Sequence, residues 1–265
     1  MKKFAFVLSV VMLAVIATGC GSNTSGITLA GSTSVQPYAE ILAEHYQKIH
    51  TDETVDVQGG GSEAGITAAI SNTADLGMSS RSLTAEDGKL WSVEIAKDGI
   101  AIIVHPKNPV KNLTTEQLRN IYTGKITNWN QVGGANHIIN IVAREEGSGT
   151  RTAFEGFVMN KAAITPKAVA QDSNGAVKQI IADDEFSIGY ISLGLVDKTV
   201  KDVNVNNVAP TRANVINHTY TFYRPFLFVA SKEPTGITKQ FVDYVLSAEG
   251  QKILHNEGLV TLGEK

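Results

Sequence analysis

From Ile27 onward, short apolar runs of β type alternate with segments whose apolar residues recur at helical spacing. "ITLAG" reads as a strand, and "VQPYAEILAEHYQKI" as a helix with Tyr38, Ile41, Leu42, Tyr46 and Ile49 on one face. "TVDVQ", "SEAGITAAISN" and "ADLGMS" continue as strand, helix and strand. This alternation is the signature of an α/β fold. "GIAIIVHP" is a further buried strand, and the prolines at 106 and 109 end it. A second set of units follows. "TTEQLRNIYTG" predicts a helix capped by Thr114 and stopped at Gly124, and "INIVA", "TAFEGFVMN", "NGAVKQIIAD" and "SIGYISL" predict strand, helix, helix and strand. "TYTFYRPFLFVAS" is a long β run, followed by helices in "GITKQFVDYVLSA" and "EGQKILHNEG".

With 265 residues, 43% of them hydrophobic and 18% charged, the chain can build two cores of moderate size. No flexible linker separates the two sets of units. The spacing therefore predicts two lobes, 27–105 plus 218–265 and 106–217, joined by extended crossings near 105–109 and 217–224. A cleft between two such lobes is a place for a small ligand.

The polar signal lies where strands hand over to helices. "GSTS" at 31–34, "GGGSEAG" at 59–65, "SSRS" at 79–82 and "REEGSGTR" at 144–151 each follow a strand and supply small residues and hydroxyls. In open α/β sheets ligands gather at the carboxyl ends of the strands. Each turn alone also reads as a helix cap or a tight turn. Taken together they predict an anion site, because helix starts offer unpaired N–H groups and glycines let a ligand approach the backbone.

Other chemistries find little support. The formal net charge is −3, and it becomes more negative if Lys2 and Lys3 leave with a leader, so no basic stripe invites nucleic acid. There is no P-loop, no G-x-G-x-x-G after the first strand and no G-x-S-x-G elbow around Ser62 or Ser148. The six histidines lie away from all four turns, and His45 and His50 lack metal-ligand spacing, so neither a metal nor a cofactor is expected. A binding protein is the simpler expectation. A surface phosphatase is the alternative, distinguished by whether a base reaches Ser62 or Ser148.

At the N-terminus, Lys2 and Lys3 precede an apolar run from Phe4 to Ile16 and then "ATGC", ending at Cys20, the sole cysteine. This reads as a secretory leader, too short for a comfortable membrane span. The segment resembles a bacterial lipoprotein signal, with residues 1–19 removed, a lipid on Cys20 and a tether over 20–26, although Ala17 stands where such signals usually carry leucine. A plain secreted protein with an incidental cysteine is the other reading.

The motifs "AGSTSVQP", "QGGGSEAG", "ADLGMSSRSL", "LRNIYTGKITNWNQVGG", "REEGSGTR", "SIGYISLG" and "YRPFLFV", in this order, resemble the phosphate-binding proteins of bacterial ABC phosphate transporters, the PstS family. The resemblance covers essentially the whole chain after the leader. It implies the type II periplasmic-binding-protein fold, two α/β lobes closing on inorganic phosphate. It also implies a monomer, held at the cell membrane by lipid, that delivers phosphate to an ABC permease. Phosphate contacts then fall on Thr33, Ser34, Ser62, Arg144, Ser148, Gly149 and Thr150, with Ser80 and Arg81 of the third turn as further candidates. Glu146 either restrains Arg144 or is a solvated loop acid. Family members carry an aspartate in the third turn where Ser80 stands here, followed by Arg81, which either adds a second cation or pairs with an acid. That departure leaves sulfate, molybdate or tungstate open as alternative ligands.

Overall fold

The computed structural model describes residues 25–264. The expected leader, Cys20 and the tether up to residue 24 lie outside the described residues. Ser25 and Gly26, expected in the tether, instead open the first strand, β1 (Ser25–Gly31), paired in parallel with β2 (Glu53–Gly59). The first lobe continues with helices α1 (Gln36–Ile49) and α2 (Ser62–Ser71) and with strands β3 (Leu76–Ser79) and β4 (Trp91–Val104). The second lobe adds β5 (Asn112–Leu113), α3 (Thr115–Tyr122), β6 (Asn140–Arg144), α4 (Gly149–Phe154), β7 (Val169–Gln171), α5 (Asn174–Asp183), β8 (Ser187–Ser192), β9 (Lys201–Val205) and α6 (Arg212–Ile216). The chain then returns through β10 (Tyr223–Ala230) and closes with α7 (Gly236–Leu246) and α8 (Ala248–Asn256). A π-helical turn, Glu155–Met159, prolongs α4.

The strand order is β2-β1-β3-β10-β4-β8-β6-β7, with β9 against the far end of β4. Strand β4 belongs to both lobes. Its residues Trp91–Gly99 pair with β10, while Ile100–Val104 pair with β8 and β9. In the first lobe, Leu42, Phe241 and Leu254 cover one face of the sheet, and Ile66 and Ala69 of α2 cover the other. In the second, Leu118, Ile121 and Phe154 pack on one face and Val177 and Ile181 of α5 on the other. Each lobe is thus a helix–sheet–helix sandwich with its own core, which is the α/β class expected.

The first crossing differs from expectation. Ile100, Ile102 and Val104 already pack in the second lobe's core, so the chain changes lobe at Gly99–Ile100, inside β4, and not at 105–109. A Cβ at Gly99 would lie 2.8 Å from the Leu193 side chain, so glycine lets the strands meet closely there. On the return, the Ile100 amide donates to the Phe222 carbonyl, Phe222 packs in the second lobe and Phe226 in the first. Thr114 caps α3 by accepting from the Gln117 amide, and Gly124 follows that helix at φ +76°.

Candidate functional site

The four polar turns meet between the lobes. Each leaves a strand on the same side of the sheet, because β1, β2, β3 and β6 all end at the cleft and hand over to a turn or a helix. Contact across the cleft is direct. Ser34 Oγ lies 2.8 Å from Thr150 Oγ1, Arg144 Nη2 donates to Thr33 Oγ1 at 3.0 Å, and the Glu63 amide donates to the Gly147 carbonyl at 3.0 Å. These bonds hold the lobes closed.

Hydroxyls crowd the centre. Ser34, Ser62, Ser80, Ser148 and Thr150 are all essentially inaccessible. Ser32 Oγ donates to Ser80 Oγ at 2.9 Å, and Ser62 Oγ accepts from the Ser80 amide at 3.0 Å. Ser148 is the cap of α4, accepting from the Arg151 amide at 3.3 Å. Gly149 sits where no side chain fits, since a Cβ there would be 2.3 Å from Ser62 Oγ and 2.6 Å from Ser80 Oγ. Neither Ser62 nor Ser148 has a carboxylate or imidazole among its hydrogen-bond partners in the described residues.

Two buried guanidinium groups face this cluster. Arg144 is 1% exposed. It donates to both Glu145 oxygens and to the carbonyls of Gln171 and Asp172, while its Nη1, also buried, has no partner among the described residues. Glu145 therefore restrains Arg144, whereas Glu146 is exposed and lies 4.0 Å from Arg151. The second cation is Arg224, on β10. It is 3% exposed and bonds Ser34 Oγ at 3.1 Å, Ser80 Oγ at 3.4 Å and Asp98 at 3.1 Å. Asp98 stands directly opposite it on β4 and also accepts from Ser192 Oγ at 2.9 Å. Burial pushes the Asp98 carboxyl above the usual carboxylate range, against the pull of Arg224 and Ser192. Burial, with some help from nearby Arg144, lowers the Arg224 pKa against the pull of Asp98. Two cations beside one cluster of buried hydroxyls suit an anionic ligand.

The expected role of Arg81 is corrected. Its guanidinium grips Asp87 at 2.8 and 2.9 Å and reaches Glu63 at 3.0 Å, which commits it to carboxylates of its own lobe. Those bonds, with an amide from Thr84, hold Asp87 well below the ordinary carboxylate range. Ser80, by contrast, lies in the buried cluster. Arg224, Asp98, Asn174 and Ser32 were not singled out from the sequence; "YRPFLFV" carries Arg224, but a strand pattern does not show which side chain points into a cleft.

Known proteins give the context. The PBP superfamily domain matches residues 18–249. The phosphate-binding protein PstS of Bacillus subtilis is 31% identical, over 98% of this chain and 95% of that one. PstS of Borreliella burgdorferi is 30% identical over 90% of each. Among solved structures, a Clostridium perfringens protein described as a phosphate ABC transporter substrate-binding protein, with bound phosphate, superposes with a TM-score of 0.88 at 43% identity, covering 90% of this chain and all of that one. An ABC-type phosphate transport receptor from Vibrio cholerae gives 0.75 at 40% identity, covering 89% of this chain and 99% of that one.

Proposed function

This chain belongs to the PstS phosphate-binding proteins of the PBP superfamily, and on that premise we propose that it captures inorganic phosphate between its lobes and delivers it to an ABC permease. The observation that carries the reading is the convergence of Arg144 and Arg224, both buried, on Thr33, Ser34 and Ser80 of the first lobe, with Thr150 of the second lobe 2.8 Å from Ser34. Phosphate has almost no apolar surface, so its binding energy must come from hydrogen bonds, each charge-assisted one contributing about 1.5–3 kcal/mol net. A micromolar site needs about 8 kcal/mol. Thr33, Ser34, Ser62 and Ser80 on one lobe, with Arg144, Ser148, Gly149 and Thr150 on the other, supply donors enough only when combined. Arg224 joins that set in place of Arg81.

The protein binds and releases its ligand without chemistry, acts as a monomer, and is tethered to the membrane through lipid on Cys20. No helix among the described residues is long and apolar enough to cross a membrane. Calorimetric titration of residues 20–265 with phosphate tests the central claim. Binding at micromolar concentration is expected, and no saturable heat up to millimolar phosphate would overturn it.

A further inference from the structure

The hydroxyls of the site do not all have a free choice of direction. Ser32 Oγ accepts from the amides of Ser34 at 3.2 Å and Val35 at 3.3 Å, which fills its lone pairs, so its proton goes to Ser80 Oγ. Ser80 Oγ also receives Arg224 Nη1 at 3.4 Å, so its own proton must point onward, to Ser62 Oγ 3.3 Å away or to a ligand. Ser62 Oγ already accepts from the Ser80 amide; with Ser80 donating as well, Ser62 ends this chain as a donor.

A second chain runs the same way. Asn174 Oδ1 accepts from the Ser192 amide at 3.1 Å, which fixes the side-chain amide and leaves Nδ2 to donate to Ser34 Oγ at 2.9 Å. Ser34 Oγ accepts from Arg224 Nη2 as well, at 3.1 Å, so its proton goes to Thr150 Oγ1 or to a ligand. Thr150 is then a donor too. Both chains begin at donors that cannot reverse, namely backbone amides, a guanidinium and an oriented carboxamide. The carboxylates nearby, Asp98 and Glu145, are held by Arg224 and Arg144.

We propose that Asn174 and Ser32 are specificity-determining positioning residues, which polarise the hydroxyls so that the site presents donors to its ligand and selects the oxyanion species with fewest protons. The inference rests on the phosphate reading and deepens it: the species captured is monohydrogen phosphate in preference to dihydrogen phosphate, and sulfate, of equal charge and without a proton, is a competitor. One unpaired ligand proton is all that separates the two dianions here, and it counts against phosphate, so sulfate competes with phosphate near neutral pH.

Proton counting tests this. Near pH 6 free phosphate is mostly the dihydrogen form, so selecting the monohydrogen form releases close to one proton per phosphate bound. Calorimetry in buffers of different ionisation enthalpy reads that number. The titratable groups facing Arg224 are Asp98 and Tyr38, with Arg144 as the other charge, and any proton they exchange on closure also appears in a parallel titration with sulfate, which has none of its own. The difference between the two is the ligand's proton. Proton release with phosphate beyond that with sulfate, together with sulfate competition, is the expected result. Phosphate binding without that difference, and without sulfate competition even in large excess, overturns the proposal while leaving phosphate capture intact; no phosphate binding at all overturns the capture itself. Asn174→Leu removes the fixed donor without adding charge and frees a lone pair of Ser34 to accept from a ligand proton. It should weaken sulfate more than phosphate and reduce the proton release at pH 6, whereas a merely structural role for Asn174 would weaken both ligands equally and leave proton release unchanged.

Discussion

Replacing Arg144 by alanine should separate binding from folding. The side chain is buried at the meeting of the lobes, and its Nη1 has no partner among the described residues, while Nη2 bridges to Thr33 across the cleft. A phosphate in the cluster would take at least one charge-assisted bond from Nη1, and Nη2 adds a second when it leaves Thr33. Two such bonds correspond to about 3–6 kcal/mol, which is a loss of affinity of at least a hundredfold. Stability falls less. Glu145 is partly exposed and regains water, and the Gln171 carbonyl keeps its bond from the Glu145 amide, so the main orphan is the Asp172 carbonyl, at about 1–3 kcal/mol. For a chain of this size that lowers Tm by only several degrees. Calorimetric titration with phosphate at moderate salt, beside thermal unfolding of the ligand-free protein, reads both quantities. A folded variant that binds phosphate within threefold of the original would refute the reasoning and make Arg144 a purely structural cation.

Arg81→Gln should do the reverse, lowering Tm while leaving phosphate affinity within a small factor of wild type. The pH dependence follows from Asp87. Its folded-state pKa is depressed, so the pair's stabilisation is present above the ordinary carboxylate pKa of about 4 and fades as pH falls toward the folded value. The Tm gap between wild type and variant should therefore narrow in acid, and a gap that widens there would contradict the assignment. Gly149→Ala should abolish tight binding without unfolding either lobe, because the added methyl would meet Ser62 and Ser80 only when the lobes close; an unaltered Kd would show that the cleft closes less tightly than described. Phosphate should raise Tm by linkage, and more so for wild type than for Arg224→Gln, because the second cation is lost in that variant. Equal shifts in a scanning fluorescence assay would remove Arg224 from the site.

Most of the secondary structure was legible because its causes are local. A cap such as Thr114, a stop such as Gly124 and the spacing of Tyr38, Leu42 and Tyr46 act within one or two helical turns. The four turns were legible for the same reason: each is a short run of glycines and hydroxyls after an apolar strand. The errors arose where distant segments decide. His105–Pro106 looked like the place to change lobes because proline ends strands, yet the chain changes lobe inside an unbroken strand, where the partners of β4 switch from β10 to β8 at Gly99–Ile100.

Sequence alone determined the α/β class and singled out the serines, threonines and first arginine that the fold gathers in the cleft, since periodicity and turn chemistry are properties of neighbouring residues. Which other arginine serves the site was a tertiary matter. Arg81 lies in the third turn and looked suited to the site, but Asp87, on the 3-10 turn just beyond, captures it. Arg224 lay unremarked in an apolar run until antiparallel pairing set it opposite Asp98 and beside Ser34 and Ser80. Pairing across that many residues is settled by the register of β4 and β10 and by the burial of both charges together, because neither could stay buried alone.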